Sequence, residues 1–140
     1  MAPTFLYGNA SQQFATKQWN WPALQVSALL VDATYVPRIN VDTYVSDIPA
    51  GAIAARSNAL GAYMTSMASV DGVCGGILPQ FDSIIWPAPA AAIVLYVDTG
   101  TDSTSELIYY SSDGIGFPLI LAGFNYAIVQ NQAYGGWFQA

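Results

Sequence analysis

The chain has 140 residues, of which 54% are hydrophobic and 9% are charged, and its formal net charge is −6. This length suits one domain with a core of its own, so we expect residues 1–140 to form a single structural domain. The basic residues, Lys17, Arg38 and Arg56, are too few and too scattered to bind nucleic-acid phosphates, which excludes nucleic acid as a partner.

The first predicted elements are short and separated by turns. Residues 11–18 fit one or two helical turns with Ser11 as N-cap, and they fit a loop equally well. Residues 24–31 begin with alternation and end as a continuous apolar run, which is typical of a buried strand. Residues 41–48 fit a helical turn that ends before Pro49, because proline disfavours helical geometry in the residue before it.

The rest of the chain consists mainly of strand-like segments. Residues 51–61 are rich in alanine, but the glycines at both ends and the alternation that follows favour strand over helix. The strand candidates, bounded by glycine, proline and aspartate turns, are residues 53–60, 63–70, 81–86, 91–97, 107–111, 117–121, 125–130 and 134–138. Short strands at this spacing predict an all-β fold, a single antiparallel β-sandwich or barrel-like domain with at most one or two short helical turns.

Residues 93–110 are the most informative segment, because two apolar strands flank a polar stretch as in a long-looped β-hairpin. The loop contains Asp98-Thr99-Gly100, the tripeptide that carries the catalytic carboxylate of aspartic proteases. Such enzymes need two carboxylates that share a proton, so this chain would have to act as a homodimer. The hydrophilic residues 101–105 do not fit that pattern. We therefore predict a turn in which Asp98 and Thr99 bond to their own backbone and Gly100 has a positive φ.

Other site chemistry is scarce. The chain has no histidine and one cysteine, Cys74, which excludes Ser-His-Asp and Cys-His arrangements, an internal disulfide and a Cys/His zinc site within one chain. We expect Cys74 to be a small buried hydrophobe. The loop carboxylates Asp98, Asp102 and Glu106 lack the spacing of a calcium-binding loop, and a solvated loop is the favoured interpretation.

Asp42 and Asp47 form another pair of carboxylates, for which we favour helix capping or loop structuring over acid–base chemistry. We therefore predict no catalytic, cofactor-binding or metal-binding residues, no cofactor and no enzymatic activity. The 19 aromatic side chains indicate core packing and contact between subunits, with carbohydrate binding as an alternative. We expect the aromatic residues 134–138 to dock on their own core or on a neighbour.

The low charge indicates a surface that is largely apolar or neutral, and such surface usually contacts a partner. Soluble domains carry about 25% charged residues, well above the 9% of this chain. No apolar run reaches the roughly 18 residues of a membrane span, and the first residues lack the features of a signal peptide, so we expect no membrane partner. Burial against other proteins in an assembly is the favoured explanation.

The chain resembles a family of small all-β virion proteins of tailed bacteriophages. The resemblance rests on Trp19-Asn20-Trp21, residues 24–30, Tyr35-Val36-Pro37, Asp42, Tyr44, Ser46-Asp47-Ile48, residues 82–86, residues 94–108 and the aromatic residues 126–138. Members of the family are labelled capsid decoration (cement), head-fibre or minor tail proteins. The resemblance supplies no catalytic residue.

The resemblance implies a capsid decoration (cement) protein on the exterior of the virion, made in the host cytoplasm. Its expected partners are the major capsid protein and copies of itself, as a homotrimer, which it would contact through apolar and aromatic surface. The alternative is a minor tail or head-fibre protein. A dimeric aspartic protease and a carbohydrate-binding module are the less favoured alternatives.

Overall fold

The computed structural model describes residues 4–56, 63–70, 73–78, 81, 86–112, 118, 120–123 and 137–139. Most of their regular structure is strand, arranged in two antiparallel sheets. The strands are β1 (Thr4–Leu6), β2 (Val26–Asp32), β3 (Ile53–Arg56), β4 (Thr65–Val70), β5 (Val73–Ile77), β6 (Ala90–Val97), β7 (Leu107–Ser111) and β8 (Phe138–Gln139). The helical elements are α1 (Gly8–Ala15) and the 3-10 turns Trp21–Ala23, Val45–Asp47 and Ala50–Ala52.

The larger sheet has the strand order β1-β7-β6-β2-β3, and every neighbouring pair is antiparallel. Its central strands are buried along most of their length, and every residue of β2 is buried. This explains their continuous apolar sequences, since a strand covered on both faces cannot alternate between apolar and polar residues. The predicted strands at 24–31, 91–97 and 107–111 are confirmed within one or two residues, and so is the β6–β7 hairpin.

The smaller sheet has the order β4-β5-β8. The pairing of β4 with β5 is irregular between Thr65 and Ala68, where Ser66 has a φ of 53°. This bulge accommodates one extra residue in β4. Gly76 lies opposite it, and a β-carbon there would lie 2.5 Å from Met64 Sδ. The close approach of the methionine therefore requires glycine at this position.

The two sheets share one apolar core, and the end of the chain closes it. The ring of Phe138 in β8 lies 5.2 Å from the rings of both Trp21 and Tyr109, measured between centroids. The indole nitrogens of Trp21 and Trp137 donate to the carbonyl oxygens of Gly75 and Gly76 at 2.8 and 3.0 Å. Residues 134–138 are predicted to dock either on the chain's own core or on a neighbour. The described residues 137–138 dock on the chain's own core.

The helix near the N-terminus differs from the prediction. Helix α1 begins at Gly8, so Ser11 lies inside it and is not the N-cap, and no side chain caps the helix. The backbone nitrogens at its start bond instead to distant carbonyls: Tyr7 to Ile108 at 3.0 Å and Gly8 to Ile39 at 2.7 Å. Tertiary contacts thus supply acceptors for the N–H groups of the N-cap residue and of the first helical residue.

The all-β class is confirmed, and the other boundaries follow the predictions in part. The helical turn expected within 41–48 is the 3-10 turn Val45–Asp47, and the strand expected at 53–60 is described as far as Arg56. The predicted strand at 81–86 is described only at its two end residues, and that at 125–130 lies outside the described residues. The strand predicted at 117–121 is wrong for its described residues 118, 120 and 121, which are not in a strand. No helix in the described ranges is long and apolar enough to cross a membrane.

Candidate interaction surface

An exposed apolar loop follows β2. We call residues 33–44 the apolar loop, because its side chains Val36, Ile39, Val41 and Tyr44 are 75, 42, 61 and 38% exposed. Among the described residues, six large hydrophobic side chains are exposed, and four of them lie on this loop. Single exposed hydrophobic residues are ordinary, but a cluster of them marks a contact surface.

A buried hydrogen-bonded network holds the apolar loop on the body of the protein. The carboxylate of Asp42 is 1% exposed and accepts the hydroxyl of Tyr35 at 2.9 Å. Because the Tyr35 proton is committed to Asp42, Tyr7 must donate to the Tyr35 oxygen, which lies 2.7 Å away. The backbone nitrogen of Arg38 donates to the same carboxylate oxygen at 3.0 Å. The network thus joins β1's end to the loop through three buried polar side chains.

The charge of Asp42 is balanced at the surface. The Arg38 guanidinium donates from Nε and Nη2 to Asp42 Oδ1, at 3.1 and 2.8 Å. Its own side chain is 60% exposed, whereas that of Asp42 is fully buried. Burial raises the pKa of Tyr7 and of Tyr35 well above the usual range for tyrosine, so both hydroxyls keep their protons at neutral pH. The loop is therefore fixed by one buried anion and two neutral hydroxyls.

The first half of the apolar loop is also fixed by turn chemistry. Asp32 accepts the backbone nitrogen of Thr34 at 2.9 Å and the indole nitrogen of Trp86 at 2.8 Å. Gly8 donates to the Ile39 carbonyl, and a β-carbon on Gly8 would lie only 2.6 Å from Asn40 Oδ1. Glycine at residue 8 thus leaves room for the Asn40 side chain and for the Ile39 carbonyl oxygen, which would lie 3.1 Å from a β-carbon.

The second half of the loop is attached to the β6–β7 hairpin. Leu107 donates its backbone nitrogen to the Thr43 carbonyl at 2.8 Å, and Tyr44 forms an isolated antiparallel bridge with Glu106. Asp47 accepts the backbone nitrogens of Thr43 and Tyr44 at 2.9 and 3.0 Å, which lowers the pKa of its carboxyl group. Asp42 and Asp47 thus have the loop-structuring and capping roles that the sequence favours for them.

The Asp98-Thr99-Gly100 turn has the predicted geometry. Asp98 Oδ1 accepts the backbone nitrogen of Gly100 at 2.8 Å, Thr99 Oγ1 donates to the Thr101 carbonyl, and Gly100 has a φ of +86°. Asp98 is 5% exposed, and its Oδ2 accepts the Ser27 hydroxyl at 2.9 Å. The carboxylate therefore joins the hairpin loop to β2. The absence of enzymatic activity stays a prediction.

The hairpin loop is less solvated than the sequence indicates. Asp98 and Ser105 are buried, and Val45 and Ser46 donate their backbone nitrogens to the carbonyls of Ser105 and Asp102 at 2.9 and 3.2 Å. The interpretation as a solvated loop is wrong for this inner side, because the loop packs on the segment after the apolar loop. Its outer residues, including Gly100, are exposed.

The loop carboxylates have separate partners. Asp102 forms a two-bonded ion pair with Arg56, both bonds 2.8 Å long, and this lowers the pKa of the Asp102 carboxyl group. Glu106 accepts the side-chain amide of Asn9. No group of three acidic, histidine or cysteine side chains in the described ranges is placed to hold a metal ion.

The cysteine and the four tryptophans are buried or half-buried. Cys74 is free and buried, as expected, and burial raises the pKa of its thiol. None of the four tryptophans is fully exposed: Trp21 and Trp137 are buried, while Trp19 and Trp86 are half-buried. No indole ring is therefore fully exposed as a platform on which a sugar ring could stack.

The sequence pattern does not predict the exposed apolar loop. Its aliphatic side chains are spaced irregularly around Pro37, so they match neither strand nor helix periodicity. The available signal was three aliphatic residues in a turn-rich segment, where polar residues are the rule.

A scan against protein-family models gives no match for this chain, and a search of curated proteins gives none either.

Proposed function

We propose that this protein is a capsid decoration (cement) protein that binds the outer surface of a phage head through its apolar loop. The observation that carries the proposal is the clustering of Val36, Ile39, Val41 and Tyr44 on one exposed loop of a protein with few charges. Reinforcement of a shell needs contact surface and no chemistry. A protein that binds only the assembled shell stabilises it by mass action.

The bracing of the apolar loop supports this proposal. A mobile loop would lose conformational entropy on binding, whereas a loop already held in place binds at a smaller cost. The body of the protein holds the loop at three points. Tyr35 bonds to Asp42, Gly8 bonds to the Ile39 carbonyl, and Asp47 accepts the backbone nitrogen of Tyr44. Many copies on one particle would multiply the stabilisation that each weak contact contributes.

The resemblance to small virion proteins supports the choice of a phage particle as the partner. The alternative that it supports is a minor tail or head-fibre protein, which would also need a surface for contact with other virion proteins. The number of copies distinguishes the two roles, because a head offers hundreds of equivalent positions and a tail offers few.

The test is the stoichiometry of the chain in purified virions, measured by quantitative mass spectrometry against the major capsid protein. We expect hundreds of copies per particle, and we expect particles that lack the gene to release their DNA at a lower temperature. A handful of copies would indicate the tail role. Complete absence from virions would overturn both.

A matched pair of variants tests the surface. Val36→Asp places a charge on the apolar loop, and Ile77→Asp does the same at a side chain that is 62% exposed in β5 of the smaller sheet. Added to particles that lack the gene, the Val36 variant should bind at least tenfold more weakly than the wild type, and the Ile77 variant should bind as tightly as the wild type. Equal binding by both variants would show that the apolar loop is not the contact.

A further inference from the structure

We infer that the protein has an internal site that binds one water molecule, bounded by the side chains of Tyr96, Ser27 and Arg56. The site lies in the larger sheet, where β2, β3 and β6 are neighbours. It adjoins the hairpin loop, because Asp98 of that loop bonds to Ser27. The inference is independent of the apolar loop and of the proposed contact with a phage head.

The strand register brings the three polar side chains to one face of the larger sheet. Ser27 in β2 lies directly opposite Tyr96 in β6. Arg56 in β3 lies opposite Leu29, which is two residues along β2 from Ser27. Residues that are paired across antiparallel strands, and residues two apart in one strand, point to the same face. The site is therefore a product of the sheet's pairing.

Tyr96 Oη is a buried polar atom without a protein partner. Tyr96 is 1% exposed, and its hydroxyl forms no hydrogen bond. Arg56 and Ser27 lie close enough to act on the hydroxyl electrostatically, but neither is placed to form a hydrogen bond with it. Buried hydroxyls are almost always bonded, and an ordered water molecule bonds to those that the protein itself leaves unsatisfied.

The groups around the hydroxyl select a molecule that both accepts and donates. Burial raises the pKa of Tyr96 from 10.0 to about 12, so the hydroxyl keeps its proton at neutral pH and needs an acceptor. Arg56 has only donors. Ser27 donates its proton to Asp98 Oδ2 at 2.9 Å, so Ser27 Oγ can only accept. A water molecule can accept from Tyr96 and Arg56 and donate to Ser27, which gives it the two to four partners that buried waters have.

An ion does not meet these requirements. A cation would face the guanidinium of Arg56 and could not accept the proton of Tyr96. A simple anion has no proton to donate to Ser27, and it would lie near the buried carboxylate of Asp98. The charge of Arg56 is already balanced by Asp102, whose Oδ2 lies 2.8 Å from Arg56 Nη2. The site therefore favours a neutral ligand.

The first test counts long-lived internal water molecules in the folded chain by magnetic relaxation dispersion of the water signal. Tyr96→Phe removes the hydroxyl and keeps the ring, and we expect this variant to hold one long-lived water fewer than the wild type. Tyr110→Phe is the matched control, because Tyr110 is also a buried strand tyrosine, and it should hold as many as the wild type. Equal numbers in Tyr96→Phe and the wild type would overturn the inference.

A crystal structure of the wild type at high resolution tests the site without depending on the folding of a variant. Crystals are grown in rubidium bromide, since both ions give an anomalous signal. We expect a density peak within about 3.2 Å of Tyr96 Oη, also bonded to Ser27 Oγ, with no anomalous signal. An anomalous peak there would identify an ion and overturn the water. A direct hydrogen bond from Tyr96 to Ser27, with no density peak beside it, would overturn the site itself.

Discussion

Asp42 connects the interior of the protein to its most exposed apolar segment. Its carboxylate accepts Tyr35 from the core side and the Arg38 side chain from the solvent side. A buried carboxylate is tolerated only when its oxygens are bonded and its charge is balanced, and both conditions are met here. Val41, the residue before it in sequence, is 61% exposed.

Removing one hydroxyl from this network should weaken the fold. In Tyr35→Phe, Tyr7 loses its acceptor and Asp42 loses a donor, and both groups remain buried. We expect the free energy of unfolding in urea to fall by about 2–3 kcal/mol. Tyr110→Phe is the matched control, because that ring packs 6.1 Å from Tyr35 and its hydroxyl bonds to no described residue. It should change the free energy by less than about 0.5 kcal/mol, and equal losses in the two variants would contradict the role of the network.

At the scale of elements, the β6–β7 hairpin and the apolar loop support each other. Backbone bonds link Thr43 to Leu107 and Val45 to Ser105, so the hairpin loop forms the platform on which the end of the apolar loop rests. The hairpin loop in turn depends on the Asp98 turn and on the Arg56–Asp102 ion pair. A substitution that disturbs the turn should therefore also disturb the position of the apolar loop.

The backbone strain that an alanine would meet in the turn at Gly100 can be tested directly. Gly100 has a φ of +86° and open space around its missing β-carbon, so alanine there is strained by its backbone and not by a clash. We expect Gly100→Ala to lower the free energy of unfolding by about 1 kcal/mol. Gly51→Ala, which has open space and no positive φ, should leave it within about 0.5 kcal/mol. A loss as large at Gly51 as at Gly100 would show that backbone strain is not the cause.

For the whole molecule, the ionisable groups define a pH range of maximal stability. Backbone bonds from Tyr44 and Thr43 lower the pKa of Asp47, and Arg56 lowers that of Asp102, from an ordinary 3.8. Burial raises the pKa of Tyr96 from 10.0 to about 12 and also raises that of Tyr7 and Tyr35. The folded state thus favours ionised carboxylates and neutral tyrosines.

The direction of the pH dependence follows from these shifts. Below pH 3.8 the unfolded carboxylates bind protons that the folded ones do not, so stability falls with falling pH. Above pH 10 the unfolded tyrosines lose protons that the folded ones keep, so stability falls with rising pH. Urea unfolding between pH 3 and 11.5 should show a plateau from about pH 5 to 9 with a decline on each side. A free energy of unfolding that rises between pH 10 and 11 would contradict the burial of the tyrosine hydroxyls.

Much of the fold was predictable because its signals are local. The β-branched and aromatic runs of β2, β6 and β7 specify buried strands wherever they lie in the chain. The turn at Asp98-Thr99-Gly100 depends on a side chain and a glycine two residues apart, so the sequence contains all of it. The start of α1 was not predictable, since its acceptors are carbonyls of Ile39 and Ile108.

The sequence by itself determined the all-β class, the central hairpin and the positive φ at Gly100, because periodicity and turn chemistry act between neighbours in the chain. Only the tertiary structure decided which apolar residues remain exposed. The Tyr7–Tyr35–Asp42 network joins residues that are far apart in sequence, and it turns the apolar loop so that Val36 and Val41 are exposed. Exposure is a property of the packed molecule, since a side chain is buried or exposed only relative to the elements around it.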